Sequence, residues 1–252
     1  MAATFHDLKD ASVFITGGGN GIGAALTDGF LAQGARVAFV GRSDARAFVD
    51  EMATKHGNRP LFIPCDITDT AALQEAIAQA ASAHGPLRAL VNNAANDLRH
   101  DASNVTVQDW DDLQAINLKA YFFACQKAAE VMAPQGAIIN FSSIAHMLGA
   151  ARLSVYATAN AGISGMTRSL AREWGPRGIR VNAIAPGWVF TEKQENLWAT
   201  PESKAGFLEK QCLRQFMKPA DMVGPVLFLA SQASAMMTGQ TMVVDAGVVG
   251  AG

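Results

Sequence analysis

Ser12-Val-Phe-Ile-Thr-Gly-Gly-Gly-Asn-Gly-Ile-Gly-Ala-Ala-Leu26 is the stretch on which the fold turns. Its apolar opening, Ser12–Thr16, has strand character. A glycine cluster follows at once, and a helical pattern, Ile22–Ala32, begins before the cluster ends. That order reads as strand, sharp turn, helix. Glycine permits such a turn, and lacking a Cβ it lets backbone N–H groups approach an anion at the positive end of the new helix. The context makes Gly17, Asn20, Gly21, Ile22 and Gly23 candidates for holding the pyrophosphate of a dinucleotide.

The same alternation continues along the chain. Short β-branched or apolar runs lie at Arg36–Val40, Leu61–Pro64, Ala89–Asn92, Ala137–Phe141, Arg180–Ile184 and Thr241–Val244. Between them come helical patterns at Ala45–His56, Thr70–Ala83, Thr106–Met132, Ser154–Trp174 and Pro219–Ser231. Several runs are apolar throughout, as expected of strands covered by helices on both faces. The expected fold class is α/β: a doubly wound, Rossmann-like parallel sheet of seven strands, forming a single domain over residues 1–252. Residues 187–215 show no clear periodicity. Following a strand's carboxyl end, so long a segment is expected to be a substrate lid.

Composition narrows the function classes. Of 252 residues half are hydrophobic, and the formal net charge is −2. Such a balance offers no electrostatic footprint for nucleic acid or an anionic membrane. No charge-free apolar stretch reaches the roughly 18 residues of a membrane span, and Met1–Asp10 has no apolar core of signal-peptide length. Cys65, Cys125 and Cys212 are odd in number and far apart, with no Cys-x-x-Cys. Reduced thiols, no zinc site and a cytoplasmic location are expected.

The end of the second strand bears on the choice of dinucleotide. An acidic side chain there would bind a ribose 2′-OH and repel a 2′-phosphate. The chain instead reads Phe39-Val-Gly-Arg-Ser43, with Gly41 at the usual acidic position. Arg42 can grip a phosphate through two charge-assisted hydrogen bonds, and Ser43 adds a donor. NADP is the expected cofactor, with NAD the alternative; Asp44 nearby weighs towards NAD.

Taken together, these motifs resemble the short-chain dehydrogenases/reductases over essentially the whole chain. Thr16-Gly-x-x-x-Gly-x-Gly23 has the family's glycine spacing, and Cys65-Asp66-Ile67 resembles its adenine-side segment. Asn92-Asn-Ala-Ala95 is similar to the family's Asn-Asn-Ala-Gly, with Ala95 in place of glycine. Pro186-Gly-Trp-Val-Phe-Thr191 resembles its Pro-Gly-x-x-x-Thr, which holds the nicotinamide amide. The resemblance implies cofactor contacts at Asp66, Ile67, Asn93, Ala94, Pro186, Gly187, Val189 and Thr191, beside Arg42, Ser43 and the glycine loop.

It also implies the chemistry. Ser143 and Tyr156, thirteen residues apart, match the family's Ser and Tyr. The Ser hydroxyl polarises the reacting oxygen, and the Tyr exchanges its proton as hydride moves to or from nicotinamide. Asn117 matches the helix Asn that holds a proton-relay water. Asn160 stands where the family has Lys, whose ammonium lowers the Tyr pKa and bonds the nicotinamide ribose. A neutral amide loses the first task and retains hydrogen-bonding capacity for the second. Lys119, Arg152 and Lys193 are possible substitutes for the missing charge, each with an ordinary reading as a solvated surface cation.

Two segments narrow the resemblance to bacterial aldose 1-dehydrogenases: Asn92-Asn-Ala-Ala-Asn-Asp-Leu-Arg-His100 and Thr191-Glu-Lys-Gln-Glu-Asn-Leu-Trp198. The implied reaction is oxidation of an aldose C1 hydroxyl to the lactone, impaired if Asn160 is not compensated. Asn96, His100, His146, Trp188 and Gln194 are the candidate sugar contacts, with Trp198 more at home in lid packing. Asp97 and Arg99 are as well read as a surface pair. Two alternatives stay open: a dehydrogenase or reductase of another polar secondary alcohol or keto acid, and a catalytically silent nucleotide-binding protein. The family's assembly implies a homotetramer built through Thr106–Met132, Ser154–Trp174 and the C-terminal segment.

Overall fold

The structure is a computed structural model that describes residues 3–250; the outermost two residues at each end of the expected domain lie outside that range. Seven strands form one parallel sheet: β1 (Ser12–Thr16), β2 (Arg36–Gly41), β3 (Leu61–Pro64), β4 (Leu87–Asn92), β5 (Met132–Phe141), β6 (Arg180–Pro186) and β7 (Thr241–Val244). Their order is β3-β2-β1-β4-β5-β6-β7. The helices are α1 (Gly21–Ala32), α2 (Arg46–His56), α3 (Thr70–His84), α4 (Val107–Gln114), α5 (Ala120–Val131), α6 (Ala145–Leu148), α7 (Ser154–Trp174), α8 (Glu192–Leu197), α9 (Pro201–Glu209) and α10 (Val223–Ala230).

Alternate residues of the central strands serve opposite faces. Val13 and Ile15 pack with Phe30, Met222 and Val226, beneath α1 and α10. Phe14 and Leu90 pack with Leu73, Ala124 and Leu170, beneath α3, α5 and α7. Every residue of β1 is buried, which explains a strand with no polar alternation. Chain order reverses direction between β1 and β4, so the crevice for a ligand opens at the carboxyl ends of those two strands. Thr16 ties that crevice together. Its hydroxyl accepts from the N–H groups of Asn93 (2.9 Å) and Ala94 (3.1 Å), and the Asn93 amide donates to the Thr16 carbonyl at 3.1 Å.

Three expectations need correction. The long helix expected over Thr106–Met132 is interrupted: α4 ends at Gln114, a π-helical turn spans Ala115–Lys119, and α5 follows, while Met132 opens β5. The wide turn rotates Asn117 inward, where its amide oxygen accepts from the Asn96 N–H and its amide nitrogen donates to the Asn96 carbonyl, both at 2.8 Å. The helix expected over Pro219–Ser231 begins as a 3₁₀ turn, Pro219–Met222, and becomes α-helical only at Val223. The segment 187–215 is not irregular throughout: Thr191 and Thr200 each cap a short helix through their side chains, giving α8 and α9. Among the described residues no helix is long and apolar enough to cross a membrane.

Candidate active site

A cleft of about 970 Å³ runs over the carboxyl ends of the strands, from β2 to α8 and α9. Its cofactor end is built largely from backbone. Gly17 and Gly21 have φ of +69° and +52°, which side chains rarely adopt. A Cβ on Gly23 would lie 1.9 Å from the Gly17 carbonyl oxygen, so this glycine lets the turn fold back on α1. Asn20 precedes α1 without giving it a side-chain cap, which leaves first-turn N–H groups for a phosphate. These features fit the pyrophosphate of a nicotinamide dinucleotide. Gly17, Asn20, Gly21, Ile22, Asn93, Ala94, Pro186, Gly187, Val189 and Thr191 all line the cleft. Gly23 and Asn160 do not, lying behind its wall.

The adenosine corner carries Arg42, Ser43, Asp66 and Ile67 in the cleft wall. A Cβ on Gly41 would find only Phe62, at 3.9 Å, so nothing steric forbids a side chain there. Arg42 is 72% exposed and rests loosely on Asp66 at 3.8 Å. The Thr68 N–H (3.0 Å) and hydroxyl (2.8 Å) bond Asp66, and the backbone bond is the leading reason its carboxyl lies below its ordinary range. Asp44 is matched by its own neighbour, for the Arg46 guanidinium meets it at 2.7–3.0 Å. Arg42 is thus left beside an acid already paired elsewhere.

At the other end Ser143 and Tyr156 share the cleft. Ser143 follows β5 and accepts from the Ala145 N–H at 3.2 Å, which aims its hydroxyl. Tyr156 stands in the first turn of α7. Withdrawal from water and the charge of Asp97 push its phenol up to about 12, against the opposing pull of the Ser143 and Asn160 side chains. Asn160 itself is 2% exposed, and its amide nitrogen donates to the Tyr156 carbonyl at 2.8 Å. It brings no charge to this end.

The expected sugar contacts divide. Trp188 and Gln194 line the cleft; Asn96, His100 and His146 do not. Asn96 presents its backbone to Asn117. His100 turns towards Asp109, with its Nε2 at 3.7 Å, and His146 bonds the Ser143 carbonyl through Nδ1 at 2.6 Å. Asp97 and Arg99 are not a mutual pair. Asp97 accepts from Lys193 Nζ at 3.0 Å and from the Gln194 amide at 2.7 Å, while the Arg99 guanidinium lies 4.4 Å from the centre of the Trp198 ring. Gln194 in turn accepts from Trp188 Nε1 at 2.9 Å. Asp97 and Lys193, which the sequence leaves open between a site role and the surface, are both cleft residues.

A glycine-cradled crevice at the switch point, with a Ser–Tyr pair at its far end, defines a Rossmann-fold dinucleotide-dependent oxidoreductase. Comparison with known proteins is more specific. The family model described as enoyl-(acyl carrier protein) reductase matches residues 17–249. The chain is 47% identical to the probable galactose dehydrogenase GalD of Rhizobium meliloti and 43% identical to the D-xylose 1-dehydrogenase of Caulobacter vibrioides, with 98% of each chain covered in both alignments. A blue fluorescent protein from a metagenomic library, solved in complex with NADPH, superposes with a TM-score of 0.89 at 35% identity, over 96% of this chain and 99% of that one. The chain belongs to the short-chain dehydrogenase/reductase family, and is an NAD(P)-dependent oxidoreductase acting on CH–OH groups.

Proposed function

We propose that this protein oxidises the C1 hydroxyl of a free aldose, such as galactose, arabinose, xylose or fucose, to the lactone, with NADP as the preferred acceptor. The observation that carries the reading is the hydrogen-bonded set Asp97–Gln194–Trp188 in the same cleft as Ser143 and Tyr156. A pocket lined by such part-buried donors and acceptors suits a ligand with several hydroxyls and disfavours one without them. The names of the two sugar dehydrogenases above support the same class. Ser143 holds O1, and Tyr156 Oη takes the proton from it. A nicotinamide held by the cofactor end would supply the acceptor for the hydride of C1. Gly41, Arg42 and Ser43 accommodate the 2′-phosphate.

Base strength sets the rate. With the phenol at about 12, only about one molecule in 10⁵ is phenolate at pH 7. Turnover is therefore slow near neutrality and rises nearly tenfold per pH unit from about pH 7 to pH 10. A homotetramer in the cytoplasm completes the proposal. Phe122, 41% exposed on α5, and the groove it forms with Leu118, Met166 and Trp174 support burial of the α5–α7 face in an assembly.

Reduction of NADP and NAD, followed with free aldoses and with the corresponding methyl glycosides, tests this directly. Free sugars should react and methyl glycosides, whose C1 oxygen is blocked, should not. Asn160→Lys, measured alongside, should gain at least about tenfold at neutral pH as a cation returns beside Tyr156. Oxidation of the glycosides at the same rate, or silence of both proteins on every aldose, would remove the assignment.

A further inference from the structure

Lid and catalytic end are joined by one carboxylate. Asp97, in the loop after β4, is gripped from α8 by Lys193 (3.0 Å) and Gln194 (2.7 Å). The Arg99–Trp198 stack is a second tie between the same loop and the lid. The Asp97 side chain is 20% exposed, and it lines the cleft together with Tyr156. Burial alone would raise the Asp97 carboxyl, yet the bonds from Gln194 and Lys193 hold it below its ordinary value, so it is charged. A charge this far from water needs a partner. Asn160 is neutral and bonded within its own helix, so the cation comes from elsewhere.

Other charged groups near this end have separate partners or positions. Arg99 covers Trp198; Glu195 pairs with Lys204; His146, on α6, bonds a backbone carbonyl; Glu192 opens α8 and also lines the cleft. Tyr121, on α5, is fully buried and its phenol stays protonated well above its usual range, chiefly through burial. Arg42, Asp44 and Asp66 stand at the adenosine corner. Among the described residues, Lys193 is the cation in salt-bridge contact with Asp97.

We propose that Lys193 is the counter-charge of this active site: carried on the lid, it pairs Asp97 and so offsets the carboxylate that shares the cleft with Tyr156, which makes proton transfer depend on lid closure. The proposal rests on Tyr156 as the base assigned above. Lys193 and Asp97 are positioning residues in this scheme, because they act through one another on Tyr156.

The chain has two tyrosines, and one of them is buried, so tyrosinate absorbance in the near ultraviolet reports Tyr156 with Tyr156→Phe as the blank. It would be followed in ligand-free protein up to the highest pH at which circular dichroism shows the fold intact. Lys193→Met should lower the tyrosinate fraction at fixed pH, and kcat with it, by up to about tenfold, the effect of one unpaired charge. Lys193→Arg should restore both. Asp97→Asn should raise the fraction, and Asp97→Asn/Lys193→Met should match Asp97→Asn alone. If Lys193→Met raises KM while the tyrosinate fraction stays put, or its shift survives in the Asp97→Asn background, the proposal is overturned. The absorbance needs no substrate, so failure of the aldose assignment leaves this test standing.

Discussion

The two ends of the cleft are built by different means. At the cofactor end the working parts are backbone: glycines at positive φ, first-turn N–H groups of α1, and strand ends held in register by Thr16 and Asn93. At the chemical end the working parts are side chains drawn from distant segments. Lys193 and Gln194 meet Asp97 across 96 and 97 residues of chain. A backbone cradle binds a cofactor common to many enzymes, whereas a side-chain lattice can be changed residue by residue to suit a substrate. Affinity for the dinucleotide and the chemistry done with it should therefore separate cleanly under mutation.

Tyr156→Phe gives the largest expected effect and the sharpest cut between the ends. Removing the hydroxyl deletes the proposed proton acceptor while keeping the ring, so kcat should fall at least about 10³-fold. Affinity for NADPH, measured by fluorescence titration, should stay within about twofold, because the phosphate and adenosine contacts are untouched. A parallel loss of cofactor affinity would mean that the two ends are not separable. Persistent turnover would remove Tyr156 from the proton path altogether.

Gly23→Ala attacks the opposite end. The added methyl would sit 1.9 Å from the Gly17 carbonyl oxygen, a backbone atom that cannot rotate away. Either the loop or α1 must shift, at a cost of about 1–3 kcal/mol typical of overpacking. Affinity for NADPH should drop by about ten- to a hundredfold, and Tm should fall. If cofactor affinity survives while Tm drops, Gly23 serves only the packing of α1, and the cradle is more tolerant than its geometry implies.

This division also governs what the sequence discloses. The order of strands and helices was legible because each element carries its own periodicity, and the glycine loop because its special residues are contiguous. Ser143 and Tyr156 were singled out by a resemblance in spacing, and the fold brings both into one cleft. The break at Ala115–Lys119 was not, since a π-helical turn leaves the apolar pattern continuous and differs from an α-helix by a single residue. The short helices α8 and α9 could have been found from Thr191 and from Thr200-Pro201, a capping threonine and an N1 proline. Asp97 and Lys193 stood open between a site role and the surface, and their pairing was not legible: it exists only once the fold brings α8 to the loop after β4, and charge pairs of that range leave no trace in local pattern.

Arg42 tests the comparison where its effect should be smallest. It is the one cofactor-end contact assigned to a long side chain, and it is largely exposed, with a loose partner at 3.8 Å. A guanidinium in that setting pairs with a phosphate through charge-assisted bonds that water and salt partly screen. Arg42→Ala should raise KM for NADP by about tenfold or less and leave KM for NAD within about twofold, since only NADP carries the phosphate. The gap between wild type and variant should narrow as ionic strength rises. Equal losses for both dinucleotides would place Arg42 over the adenine ring instead, leaving the open corner at Gly41 and the Asp44–Arg46 pairing as the remaining support for NADP. The cofactor end would then be a backbone device throughout, and its choice of dinucleotide would come from the side chain that position 41 lacks.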